Sequence, residues 1–253
     1  MTPRGVARLV LAVMVGAALD AAAPATQAQT LDDILARHVA ARGGLERIRS
    51  VRSLRMTGIA TTGSGASVMV TRETKRPARM RLEFTYQGVT GVYACDGERG
   101  WRVSPFDGSP DPQPLSPAET QAAIEQADID GPFVDTAAKG VTVELLGRVP
   151  AAGREAFKLK VTFGRGLVRY HYVDAETYLL SRTEATRTWR GQTVHVATTF
   201  ADYRQVRGLH FPHLIESTAR GRPTSLRIIV DTVEVDPAID DGRFIAPDMT
   251  AAK

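Results

Sequence analysis

Arg79-Met80-Arg81-Leu82-Glu83-Phe84-Thr85-Tyr86 alternates polar and apolar side chains without a break. Successive side chains of a strand point to opposite faces. Met80, Leu82, Phe84 and Tyr86 would therefore share one face, and Arg79, Arg81, Glu83 and Thr85 the other. Phe157, Leu159, Val161 and Phe163 repeat the pattern, with Lys158, Lys160 and Thr162 opposite. Similar runs recur about ten times along the chain, broken by Gly- and Asp-containing turns. The pattern implies a large antiparallel sheet with one apolar face, and what covers that face largely decides the function.

Outward from that stretch, strands are expected at 51–60, 67–74, 79–86, 89–95 and 100–104. A second series follows at 141–146, 156–163, 167–173, 178–186, 192–201, 209–217 and 225–235. Turns fall at 63–65, 96–99, 174–176, 189–191 and 205–208, and the regular spacing suggests consecutive hairpins. Residues 105–116 are rich in Pro, Asp and Gly and read as a loop. Helices are expected at two places. Leu31, Ile34, Leu35 and His38 have helical spacing over 31–41, with Thr30 as N-cap, Asp32 and Asp33 in the first turn, and Gly43-Gly44 as the stop. A short turn of helix follows at 45–48. Ser116-Pro117-Ala118-Glu119 is a capping box with Pro at the first helical position, opening a helix to about residue 127. Asp130-Gly131-Pro132 breaks it, and Phe133-Val134 is an apolar pair in a polar setting. The total is a mainly β (α+β) chain of about eleven strands and two or three helices. So wide a sheet must curl, and two short helices can cover only part of its apolar face. The uncovered remainder would be a hydrophobic pocket.

The chain opens with Arg4 and Arg8, a short apolar run at 9–19, and small residues leading to Thr26-Gln27-Ala28. This order is that of a secretory signal, too short for a membrane span, with Gln29 near the mature N-terminus. Residues 1–28 are accordingly expected to be a signal peptide and 29–253 a single exported domain, periplasmic in a Gram-negative source. The formal net charge of +4 falls to +3 when Arg4, Arg8 and Asp20 leave. Export makes nucleic acid an unexpected partner, whereas anionic lipid head groups suit a mildly basic protein. Cys95 is the sole cysteine, so no internal disulfide can form, and it reads as a small core residue.

Groups that could carry chemistry are sparse. His210 and His213 stand three apart, which on a strand puts them on opposite faces, and His171 and His195 are isolated, so no metal site is expected. Gly63-Ser64-Gly65 reads as a hairpin tip and not as a nucleophile elbow. Asp240-Asp241 precedes Gly242 and reads as a turn. No glycine loop for phosphate occurs, and no cofactor is implied. Arg47, Arg49, Arg52 and Arg55 cluster, as do Arg72, Lys75, Arg76, Arg79 and Arg81. They read either as the solvated face of strands and helix ends or as a basic rim for anionic head groups. Met80, Leu82, Phe84, Tyr86, Trp101, Phe163, Tyr170, Tyr172 and Phe200 are the candidate lining of an apolar cavity, with plain core packing as the alternative for each.

Several segments resemble the LolA/LolB-like group of exported lipid- and lipoprotein-binding proteins. They are residues 38–46 (HVAARGGLE), 93–101 (YACDGERGW), 127–135 (ADIDGPFVD), 172–179 (YVDAETYL), 200–204 (FADYR) with 208–213 (GLHFPH), and 240–244 (DDGRF). The ordered set spans nearly the whole expected mature chain and is most similar to outer-membrane lipoprotein-sorting proteins. The resemblance implies an unclosed β-barrel of about eleven antiparallel strands with helices on its concave side and acyl chains held between them. It implies carriage of lipid or acylated lipoprotein, with transient contact to a membrane surface or membrane protein, and no catalysis. The chain lacks the lipobox of acylated members, which implies a soluble protein. The alternatives are an envelope interaction or sensor domain that holds a protein partner and, less favoured, a periplasmic hydrolase.

Overall fold

The computed structural model describes residues 29–189, 192–219 and 225–247. The expected signal at 1–28 and two residues of the turn at 189–191 lie outside the described residues. Helices α1 (Leu31–Ala41) and α2 (Leu45–Ser50) come first. Strands β1 (Ser53–Thr62), β2 (Ser67–Lys75), β3 (Arg79–Tyr86), β4 (Val89–Cys95), β5 (Gly100–Ser104) and β6 (Ser109–Pro114) follow. Then come helix α3 (Pro117–Gln126) and strands β7 (Thr142–Ala151), β8 (Arg154–Thr162), β9 (Val168–Asp174), β10 (Leu180–Trp189), β11 (Gln192–Val206), β12 (Leu209–Ala219) and β13 (Ser225–Val235).

All thirteen strands form one antiparallel sheet in the order β6-β5-β4-β3-β2-β1-β13-β12-β11-β10-β9-β8-β7. The expected count of about eleven was therefore low. Each of the twelve segments read as strands overlaps one, and the thirteenth is β6, Ser-Pro-Asp-Pro-Gln-Pro, whose prolines read as loop because they cannot donate to a ladder. It survives because it is an edge strand, where one side needs no partner. The other edge, β7, carries a bulge between Leu145 and Gly147 and ends near Pro150. Both edges are thus poor templates for strand addition. Two-residue turns with both central φ positive close three of the hairpins: Gln87-Gly88, Ala152-Gly153 and Arg207-Gly208.

Two meanders, β1 to β6 and β7 to β13, meet at the pairing of β1 with β13. That seam needs Gly58: a Cβ there would come within 2.1 Å of the Ile229 carbonyl oxygen. The meanders end at opposite edges, so the stretch from β6 to β7, which contains α3, must cross the sheet. Its anchors show how strongly the sheet curls. The Gln126 carbonyl accepts from Arg72 Nη2 of β2 at 2.6 Å, and the Glu125 carboxylate accepts from Arg169 Nη2 of β9 at 2.5 Å. Those strands are six places apart, roughly 29 Å in a flat sheet. Adjacent residues of one helix can reach both only if the sheet wraps around it. The helices therefore lie on the concave side.

Both longer helices start as their sequences predict. Thr30 Oγ1 accepts from the Asp33 N–H, Ser116 Oγ from the Glu119 N–H, and each carboxylate reaches back to its cap. Ile34 of α1 is fully buried against Phe157, Leu159, Val161 and Val173. Ile48 of α2 and Val51 pack on Leu209 with Ile129. Ala123 and Ala127 of α3 and its end pack on Met80 and Cys95. Burying each large aliphatic group contributes about 1.5–3 kcal/mol.

The outer face is covered locally by the C-terminal segment 236–247. Phe244 is fully buried, its carbonyl accepts from Trp101 Nε1 at 2.9 Å, and Lys75 Nζ donates to the Ile239 carbonyl at 2.7 Å. Beneath it Glu73, 2% exposed, accepts from Arg55 Nε at 2.9 Å and Arg243 Nε at 2.6 Å.

Candidate functional site

Strand register assigns side chains to faces. On the concave side Met56 neighbours Arg72, which neighbours Leu82, which neighbours Tyr93. The next row runs Gly58, Val70, Phe84 and Gly91. Across the seam, Val230, Ile228 and Leu226 continue the same face opposite Gly58, Ala60 and Thr62. Ile215 and Phe200 carry it onward.

This face has two regions. Under the helices it is packed: Met80 is 1% exposed, and the space left between α2 and the sheet is about 10 Å³, no more than one water's worth. Away from the helices, Met56, Val68, Phe84, Phe200, Ile215, Leu226 and Ile228 are only half-buried. Among the described residues none of these seven belongs to, or packs against, a core cluster. They form an open apolar face and not an enclosed cavity. A larger recess of about 690 Å³ lies elsewhere, near the β6 edge, where Asp96, Arg99, Pro114, Thr120 and Ile245 mix charge with apolar surface.

The nine residues singled out from the sequence divide by position. Leu82, Phe84 and Phe200 are half-buried on the concave face, and Tyr86 sits at its rim, 39% exposed. Met80 shares that face but lies under α3. Phe163 packs against the α1 cluster, with the Arg169 guanidinium 4.6 Å from its ring centre. Trp101, Tyr170 and Tyr172 face the other way. Trp101 pairs with Ala94 opposite Arg81 and is covered by the C-terminal segment. Tyr170 and Tyr172 stand beside Lys160 and Lys158, on the face opposite Leu159 and Val161. The physical reason is parity: a strand's alternation does not say which of its faces points inward. Missed by sequence reasoning were Met56, Val68, Ile215, Leu226 and Ile228. Their alternation was legible, but they looked like ordinary core aliphatics.

The segment after α3 is pinned to the rest of the concave side. Arg76 meets Asp130 through two hydrogen bonds, Nη1 to Oδ2 at 2.8 Å and Nη2 to Oδ1 at 2.5 Å. Arg42, at the end of α1, donates to the Ile129 and Asp130 carbonyls, and Lys139 Nζ to Asp128 at 2.6 Å. The Arg76 contact holds the Asp130 carboxyl below the ordinary carboxylate range. Phe133 then presents its ring to two buried histidines, His38 of α1 at 5.1 Å and His171 of β9 at 5.4 Å. Burial lowers His38 to about 4 and His171 to about 3, with Arg42 and Arg169 adding repulsion. His38 is neutral and donates from Nδ1 to the Tyr178 carbonyl at 2.8 Å.

Most members of the arginine clusters are paired with carboxylates. Arg49 pairs with Asp135, Arg55 with Glu73 and Glu234, Arg79 and Lys75 with Asp241, and Arg81 with Glu83. Burial pushes the Cys95 thiol up, away from the reactive thiolate. Among the described residues no three His, Cys, Asp or Glu groups are placed to hold a metal, and no helix is long and apolar enough to cross a membrane.

No protein-family model matches the chain, and no curated protein matches it in sequence. Solved structures do match in fold. A LolA superfamily protein from Nitrosomonas europaea superposes with a TM-score of 0.56 at 13% identity, covering 86% of this chain and 98% of its own. A domain described as that of an outer membrane lipoprotein-sorting protein, from Vibrio parahaemolyticus, gives 0.54 at 13% identity, covering 84% and 94%. A DUF1329 family protein from Desulfovibrio piger gives 0.59 at 10% identity, covering 85% and 96%. The shared property is the fold: an unclosed, curled antiparallel sheet with helices on its concave side.

Proposed function

We propose, from the fold shared with LolA superfamily proteins, that this chain is an exported binder or carrier of lipid or acylated lipoprotein. The acyl chains lie on the open part of the concave face, between Phe84 and Phe200, with the helices at one end. The observation that carries the reading is that apolar face, only half-buried and outside every core cluster. Left in water, it is costly for an exported protein; a bound chain removes it, contributing about 0.8 kcal/mol per methylene buried. Binding, not catalysis, is the activity, in the periplasm, with outer-membrane lipoprotein sorting as the process it serves. Handover to a membrane surface or membrane protein follows when the helices move off the sheet.

The test is direct. Protein purified from the periplasm of a Gram-negative host is expected to carry lipid detectable by mass spectrometry. Delipidated protein should bind a fluorescent fatty-acid probe saturably. Phe84→Gln and Phe200→Gln should each weaken that binding about tenfold, equivalent to about 1.4 kcal/mol, while Tyr170→Gln on the outer face should not. Absence of both lipid and saturable binding, or equal loss in all three variants, refutes the proposal.

A further inference from the structure

Among the described residues, three half-buried arginines project from the sheet onto the concave face: Arg72, Arg102 and Arg169. Two are matched by carboxylates of α3, Arg102 by Glu119 at 3.2 Å and Arg169 by Glu125 at 2.5 Å. Arg72 has no carboxylate partner among the described residues. Its one hydrogen bond there runs from Nη2 to the Gln126 carbonyl, at the end of α3. A guanidinium carries five N–H donors, and a helix-end carbonyl offers only a partial negative charge.

The surroundings make this unusual. Met56 and Leu82 flank Arg72 across the sheet, and Val70 and Thr74 flank it along the strand. Arginine stays protonated in proteins, so its charge cannot be shed by losing a proton. Burial opposes that charge, as its lowered pKa reflects. A charge drawn partly out of water without a full counter-charge is costly and is normally paired. The partner that the chain does not supply here can come from the ligand.

We infer that Arg72 is an anion subsite within the concave face, and that the ligand is an amphiphile bearing a carboxylate or phosphate head on an acyl chain. The inference rests on the acyl-binding reading above and narrows it. The head lies against the Arg72 fork where α3 ends, and the chain runs along Val70, Phe84 and Ile228. A planar guanidinium can meet either head through two parallel hydrogen bonds. An uncharged acyl group would leave Arg72 as it is.

Calorimetric or fluorescence-displacement titrations of delipidated full-length mature protein test this with three probes: laurate, dodecyl phosphate and methyl laurate. Laurate, dodecyl phosphate or both should bind at least tenfold more tightly than the ester, and whichever does so identifies the head. In Arg72→Gln the ratio of anion to ester affinity should fall to about one, and in Arg72→Lys a preference should persist. In the unsubstituted protein, the laurate preference should also vanish as pH falls through the ligand's own carboxyl range. That measurement stands if the glutamine variant does not fold. Equal affinity for ester and anions overturns the subsite while leaving acyl binding intact. A preference that survives in Arg72→Gln, or anion and ester affinities lost by one common factor, overturns it equally. Failure of all three probes to bind removes the acyl-binding reading itself.

Discussion

His38 and His171 meet Phe133 from two sides, and both are neutral in the folded protein down to about pH 4 and about pH 3. In the unfolded chain each takes up a proton near pH 6.5. Between pH 6.5 and 4 the unfolded state therefore binds more protons, and stability falls as pH falls. The slope is about 1.4 kcal/mol per pH unit for each histidine. Urea denaturation at pH 7, 6 and 5 should show it, and His171→Phe should flatten it; a curve level over that range would contradict the burial of both rings. Asp130 acts lower on the scale. Its depressed carboxyl lends stability above the ordinary carboxylate range, lost as pH falls through its folded value. Glu73 is a second sensitive residue, because two arginines converge on a carboxylate with almost no solvent contact. Glu73→Gln removes the buried charge and leaves Arg55 only Glu234 and Arg243 only Glu83, and should cost about 3 kcal/mol, read as a shifted denaturation midpoint. A loss below about 1 kcal/mol would mean that the C-terminal segment holds without it.

Among elements, the stretch 127–141 is the one whose form depends most on its neighbours. It has no helix or strand of its own, yet Arg42, Arg76 and Lys139 fix its backbone and carboxylates while Phe133 fills the space above β8 and β9. Phe133→Ala should destabilise by about 3–5 kcal/mol, the usual cost of an emptied aromatic site, measured by thermal and urea unfolding. The β1–β13 seam is the other critical element. Gly58→Ala places a methyl against the Ile229 carbonyl and should cost roughly 1–3 kcal/mol or displace the bulge at Thr57. Thermal melting would show the loss, and unchanged stability would mean that the seam can part without penalty. The helices and most strands were legible in the sequence, since caps, turns and alternation are local. β6 was not, because three prolines resemble a loop unless one knows that the strand lies at an edge. Nor was the role of Arg76 or Arg42, which reach positions 129 and 130, far along the chain.

At the scale of the whole molecule, ligand binding should raise stability by mass action, since only the folded sheet presents the apolar face. A probe at about a hundred times its dissociation constant adds about 2.7 kcal/mol, measurable as a higher melting temperature. Alternation along each strand is a covalent property, so the chain alone established that a large antiparallel sheet with apolar positions would form, and that capped helices would precede and interrupt it. The chain could not establish which face of a given strand points inward, because period two is symmetric about the strand. Met80, Phe84 and Phe200 on one side and Trp101, Tyr170 and Tyr172 on the other carry the same local signal. The assignment came from the register of thirteen strands and from a crossing helix tied to both β2 and β9. The same curl set Arg72 on an apolar surface with no carboxylate opposite among the described residues. That is a property of long-range packing, and no stretch of residues around position 72 contains it.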